Sequence, residues 1–123
     1  MHALVIDDAR VMRLLLRQIL QKSGFTVIEA ANGHEGLEQL QLTSKVDVAL
    51  IDCNMPGMNG LELLLALRAD SRYRSLPVLM VTGEEDAALT ERALAAGAND
   101  CVVKPFSREI ICAKLHKMGV APN

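Results

Sequence analysis

The stretch Val46-Asp47-Val48-Ala49-Leu50-Ile51-Asp52-Cys53-Asn54-Met55-Pro56-Gly57-Met58-Asn59-Gly60 decides the fold. Residues 46–51 are rich in Val, Leu and Ile and too short for a helix, so they read as a buried strand. The run stops at a carboxylate, Asp52, and gives way to a turn dense in Pro, Gly and Asn. A leucine-dense helix over residues 61–69 follows. Strand, polar end, turn and helix make one unit of an α/β chain.

The same unit recurs on either side. Short apolar runs at 3–6, 26–28, 78–81 and 101–103 read as further strands. Between the first two, Met12, Leu15, Leu16, Ile19 and Leu20 repeat at three and four, with Arg10, Arg13, Arg17 and Gln21 opposite. That pattern predicts an amphipathic helix ending near Gly24. Asn32 caps a second helix over 33–42, and a fourth spans about 86–96 and stops at Gly97. Ser107 caps a fifth, with Ile111, Leu115 and Met118 on one side. Five alternations predict a parallel sheet covered on both faces by right-handed crossovers. Periodicity alone does not order the strands.

The 123 residues form a single domain over 1–119, with 120–123 as a tail or the start of a linker. Half the residues are hydrophobic, but Phe25, Tyr73 and Phe106 are the only aromatics, so aliphatic side chains fill the core. A formal charge of -2 offers phosphate backbones and anionic membranes no general attraction, which argues against direct nucleic-acid binding. No apolar run approaches the roughly 20 residues that span a bilayer. Cys53, Cys101 and Cys112 lack metal-ligand spacing, and Met1-His2-Ala3 leads into a strand rather than a signal peptide. A cytoplasmic location is expected.

Asp7 and Asp8 end the first strand, Asp52 the third and Thr82 the fourth, while Lys104 follows the fifth. Alone, each is explained by a cap, a turn or a solvated charge. Together they fall on the carboxyl-terminal rim, where open α/β sheets form their ligand crevice. Three carboxylates within about 5 Å would repel by about 3 kcal/mol per pair at an effective dielectric near 20, more than Lys104 offsets. A divalent cation is therefore required, and an all-oxygen set favours Mg²⁺. One carboxylate can then attack phosphorus, with Lys104 and the Thr82 hydroxyl meeting the phosphoryl oxygens.

These residues resemble the receiver domain of two-component response regulators over almost the whole chain. The likeness is carried by Val5-Ile6-Asp7-Asp8, Ala30-Ala31-Asn32-Gly33, the stretch from Asp52 to Gly60, Val81-Thr82-Gly83, Ala96-Gly97-Ala98 and Lys104-Pro105-Phe106. It implies a five-stranded parallel sheet of order 2-1-3-4-5 with five flanking helices. It further implies that Asp52 takes a phosphoryl group from a sensor histidine kinase or phosphotransfer protein. Asp8 and Asp52 would bind Mg²⁺ directly, the Asn54 carbonyl would complete the ligands, and Asp7 would assist. Lys104, before a cis bond to Pro105, and Thr82 would contact the phosphoryl group.

The resemblance further assigns an output surface on helix 4, strand 5 and helix 5, with Ile110 in it. Its target would be an output protein or a C-terminal effector domain, with a homodimer as a further possibility. Asn54 and Glu84 would tune the phosphoryl lifetime, as in chemotaxis regulators. Cys101 stands where the family has an aromatic switch residue, so coupling is expected to run through Thr82 and its loop. Leu65, Ala66 and Ile110 are candidate contact residues. Such a chain is a phosphoacceptor rather than an enzyme acting on other substrates. The alternatives are a haloacid dehalogenase-type phosphohydrolase, disfavoured because Asn54 has no acidic proton to give, a flavodoxin-like carrier, disfavoured by the charges of Asp7 and Asp8, and a receiver-like interaction module that signals without phosphorylation.

Overall fold

The computed structural model describes residues 1–83 and 87–122. Strands β1 (His2–Ile6), β2 (Thr26–Ala30), β3 (Val48–Asp52), β4 (Val78–Thr82) and β5 (Asp100–Val103) form one parallel sheet in the order β2-β1-β3-β4-β5. This is the order the resemblance implies. Between and after them run α1 (Arg10–Lys22), α2 (Gly33–Leu42), α3 (Gly60–Ala69), α4 (Ala87–Ala95) and α5 (Arg108–Lys117). Asp86, expected to open the fourth helix, lies outside the described residues.

The central strands show why their sequences are almost unbroken in hydrophobicity. Every residue of β3 and β4 is buried, because helices cover both faces. Alternation sorts their side chains: Leu4, Ile6, Ala49, Ile51, Val78 and Met80 pack with Leu40 of α2, Leu63, Leu64 and Leu67 of α3 and Ala93 of α4. Ala3, Val5, Val48, Leu50, Leu79 and Val81 point the other way, toward Leu16, Ile19 and Leu20 of α1 and Ile111 and Leu115 of α5. Each large aliphatic side chain buried this way contributes about 1.5–3 kcal/mol. Val120, in the segment read as tail, is 4% exposed and joins the second cluster.

Local chemistry sets the helix ends. Asn32 accepts from the Glu35 N–H at 2.9 Å, Asn59 forms a capping box with Glu62, and Ser107 accepts from the Ile110 N–H at 3.2 Å. Gly24 and Gly97 follow α1 and α4 at φ of 99° and 112°, a region that L side chains rarely adopt. On α1 the apolar stripe is wider than the sheet can cover. Leu15, read as part of the core face, is 41% exposed, and Val11 and Leu14 are exposed beside it. No helix among the described residues is long and apolar enough to cross a membrane.

Candidate functional site

The ladder carries the polar residues to one rim. The Asp7 N–H donates to the Ala30 carbonyl at 3.1 Å, the Cys53 N–H to the Val81 carbonyl at 2.8 Å and the Lys104 N–H to the Thr82 carbonyl at 2.7 Å. Asp7, Asp52 and Lys104 each stand two residues beyond Val5, Leu50 and Val102, whose side chains share the α1/α5 face. The two-residue period of a strand thus aims all three at one place. Thr82 instead continues the row of Met80, which is paired with Cys101 on the α4 side.

Carboxylate oxygens of Asp7, Asp8 and Asp52 lie within 4.8 Å of one another. Asp7 and Asp52 are buried, at 1% and 4% exposure, while Asp8 is exposed at the rim. The Lys104 ammonium stands between the buried pair, 3.5 Å from Asp52 Oδ1 and 3.6 Å from Asp7 Oδ2. Asp52 Oδ1 also accepts from the Asn54 N–H at 3.3 Å. Burial, followed by the charge of Asp7, raises the Asp52 carboxyl to about 6, and Lys104 and the Asn54 N–H only partly offset this. Asp7 Oδ1 accepts from the Ala9 N–H at 2.8 Å, but Asp7 Oδ2 is buried without a hydrogen bond. Such a lone pair beside two further carboxylates fits a hard cation that prefers oxygen ligands.

A sequence profile of the response regulator receiver domain matches residues 3–116. The chain belongs to the response regulator receiver domain family. It is 40% identical to chemotaxis protein CheY1 of Helicobacter pylori over 116 residues, which are 94% of each chain. It is 41% identical to chemotaxis protein CheY of Pseudomonas aeruginosa, covering 96% of this chain and 95% of that one. Among solved structures, Vibrio cholerae chemotaxis protein CheY4 matches with a TM-score of 0.88 at 35% identity, over 95% of this chain and 97% of the other. This is therefore a receiver domain of the chemotaxis-regulator type.

In this receiver domain the residues singled out in the sequence gather as follows. Asp7, Asp8, Asp52 and Lys104 form the cluster, the Lys104-Pro105 bond is cis, and Thr82 is buried at the end of β4. Asn54 is exposed beside Asp52, and Glu84 lies outside the described residues. Cys101 is 9% exposed and packs with Ala93 and Ala98 behind α4, where burial, then Asp100, raises its thiol above the ordinary value. The Cys53 thiol is pushed up to about 11, chiefly by burial, which disfavours the thiolate. Of two clefts of about 660 Å³, one touches the site through Cys53 and Asn54 and is walled by Leu61, Leu89 and Arg92. The other, around Leu40, Val46, Arg72 and Tyr73, touches none of the site residues.

Two contributors were missed in the sequence. Gly60 opens α3 against the end of β3: a Cβ there would lie 2.2 Å from the Asp52 carbonyl oxygen. Glycine in a turn sequence was the available signal. Arg13, read as part of the polar face of α1, donates through Nη1 to the Asp7 carbonyl at 2.6 Å.

Proposed function

We propose that this receiver domain is a phosphoacceptor in two-component signalling, in which Asp52 takes a phosphoryl group from a histidine kinase or phosphotransfer protein. The observation that carries this reading is the placement of Lys104 within 3.6 Å of both buried carboxylates, in a cluster whose third carboxylate faces solvent. Asp52 is the nucleophile: a carboxylate oxygen attacks phosphorus, an O–P bond forms and the P–N bond of the donor phosphohistidine breaks. At neutral pH the Asp52 carboxyl, at about 6, is mostly ionised. Asp8 and Asp52, with the Asn54 carbonyl and assistance from Asp7, would hold Mg²⁺, which supplies charge neutralisation at the phosphoryl oxygens. Lys104 supplies a further positive charge, already placed 3.5 Å from Asp52 before the reaction.

Thr82 is the switch. Its hydroxyl gains a hydrogen bond to a phosphoryl oxygen, worth about 1.5–3 kcal/mol for a charged partner. The row it shares with Met80 and Cys101 leads that change to α4 without an aromatic ring. The output surface is then the face of α4, β5 and α5, where Ile110 is 46% exposed. Chemistry is confined to the domain's own phosphorylation and dephosphorylation, the latter tuned by Asn54 and Glu84.

Incubation with acetyl phosphate, followed by intact mass measurement, tests this reading. One phosphoryl group is expected in Mg²⁺, with none in chelator and none in Asp52→Asn. Labelling that survives both changes would overturn the proposal in favour of a module that signals without this acceptor.

A further inference from the structure

We propose that Arg13 is a positioning residue for the acidic pair: held by Glu29, its guanidinium fixes the turn between β1 and α1 from which Asp7 and Asp8 project. This rests on the reading of the rim as a cation-assisted phosphoacceptor site.

The turn lacks the usual anchor. Asn32, Asn59 and Ser107 cap α2, α3 and α5 with side-chain acceptors, but the N-cap of α1 is Ala9, which has none to offer. No acidic residue stands in the first turn of α1 either. Arg13 provides a different anchor from one turn further on. Its Nη1 donates to the Asp7 carbonyl at 2.6 Å, and its Nε stands 3.3 Å from Glu29 Oε1 on β2. Arg17 Nη1 bonds to the other Glu29 oxygen, so two guanidinium groups of α1 share the carboxylate. The Arg13 side chain is only 16% exposed.

The consequence reaches the site through the backbone. The Asp7 N–H is bound to Ala30, its carbonyl to Arg13 and its Oδ1 to the Ala9 N–H. With three of its polar groups committed, Asp7 Oδ2 stays aimed into the cluster, toward Lys104. Asp8, next in the chain, takes its exposed position from the same turn. The planar guanidinium is what makes the two contacts at once. A lysine ammonium is a single point on a flexible stem and does not bridge a carbonyl and a carboxylate with the same geometry.

The rival interpretation is an ordinary half-exposed ion-pair network, which adds a little stability and nothing to the site. Arg13→Ala, Arg13→Lys and Glu29→Gln separate the two. Each is melted to establish where it is folded and examined there by amide shifts and relaxation without metal, then titrated with Mg²⁺. Arg13→Ala is expected to weaken Mg²⁺ binding by about 10-fold or more, the scale on which partners of metal ligands act. Arg13→Lys should recover only part of this, and the amides of Asp8, Ala9 and Arg10 should become mobile before any metal is added. A folded Arg13→Ala protein with wild-type Mg²⁺ affinity and wild-type order in that turn would overturn the assignment. If that variant does not fold, Glu29→Gln decides: unchanged affinity and turn order overturn it, and loss of both supports it. Failure of the underlying reading looks different, since wild type itself would then show no Mg²⁺-dependent shifts at Asp8 and Asp52, and the role of Arg13 would fall with it.

Discussion

A carboxyl group removed from water and set beside a second buried carboxylate keeps its proton longer than one in solvent, and Asp52 meets both conditions. Between the ordinary value of 3.8 and about 6, the unfolded chain has released a proton that folded Asp52 still holds. Stability of the metal-free protein should therefore fall as pH rises through this window, and this group should add no further slope above it. Asp52→Asn removes that contribution and should be the more stable protein at neutral pH, by about 1–2 kcal/mol. Urea melts of both proteins in chelator at several pH values check this. Equal pH slopes would mean that burial does not act on Asp52 as described. Why Asp52 stood out in the sequence is physical: a charge at the end of an apolar run is costly unless something uses it. That Asp7 is buried and Asp8 exposed was not legible, because the turn that separates them is set by Arg13, and a contact with a backbone carbonyl leaves no sequence pattern.

At the scale of elements, the position of Asp52 depends on how closely α3 is packed onto the end of β3. The Gly60 N–H donates to the Cys53 carbonyl at 3.2 Å, and the space that a Cβ would need at Gly60 is occupied by Asp52 backbone. Backbone cannot rotate away as a side chain can. Gly60→Ala is expected to cost about 1–3 kcal/mol, the range for overpacking, and to slow phosphorylation by displacing the Asp52 carbonyl. Thermal melting and the acetyl phosphate assay measure the two effects, and a variant normal in both would show that the approach is looser. Element boundaries were legible where capping chemistry marks them, at Asn32 and Ser107. They were less so at β3, which starts at Val48 rather than Val46: Asp47 still touches β1, its N–H donating to the His2 carbonyl and its carboxylate accepting from the His2 N–H, both at 2.8 Å. An apolar face of α1 through Met12, Leu15, Leu16, Ile19 and Leu20 was legible, but not that Leu15 falls outside the part the sheet covers.

For the whole molecule, the acidic rim is a repulsive cluster in a folded protein of ordinary marginal stability. Mg²⁺ should therefore stabilise the fold, by about 2.7 kcal/mol at a hundred times its dissociation constant. Asp8→Ala removes one repulsive charge and one ligand together. It should melt above wild type in chelator and gain little from Mg²⁺, so the gap narrows or reverses when the ion is added. A variant that melts below wild type in chelator would show that the carboxylates do not strain the fold. The strand order was not available from periodicity, because crossovers of similar length serve several orders. It came from the family resemblance and is seen in the β2-β1-β3-β4-β5 sheet. The central claim is that one carboxylate of this cluster, and no other, forms an acyl phosphate. Borohydride reduces an aspartyl phosphate to homoserine, so treating the phosphorylated protein and sequencing its peptides by mass spectrometry locates the acceptor. Homoserine at position 52 alone is the predicted result; homoserine at Asp7 or Asp8, or at no position despite incorporated phosphate, would contradict it.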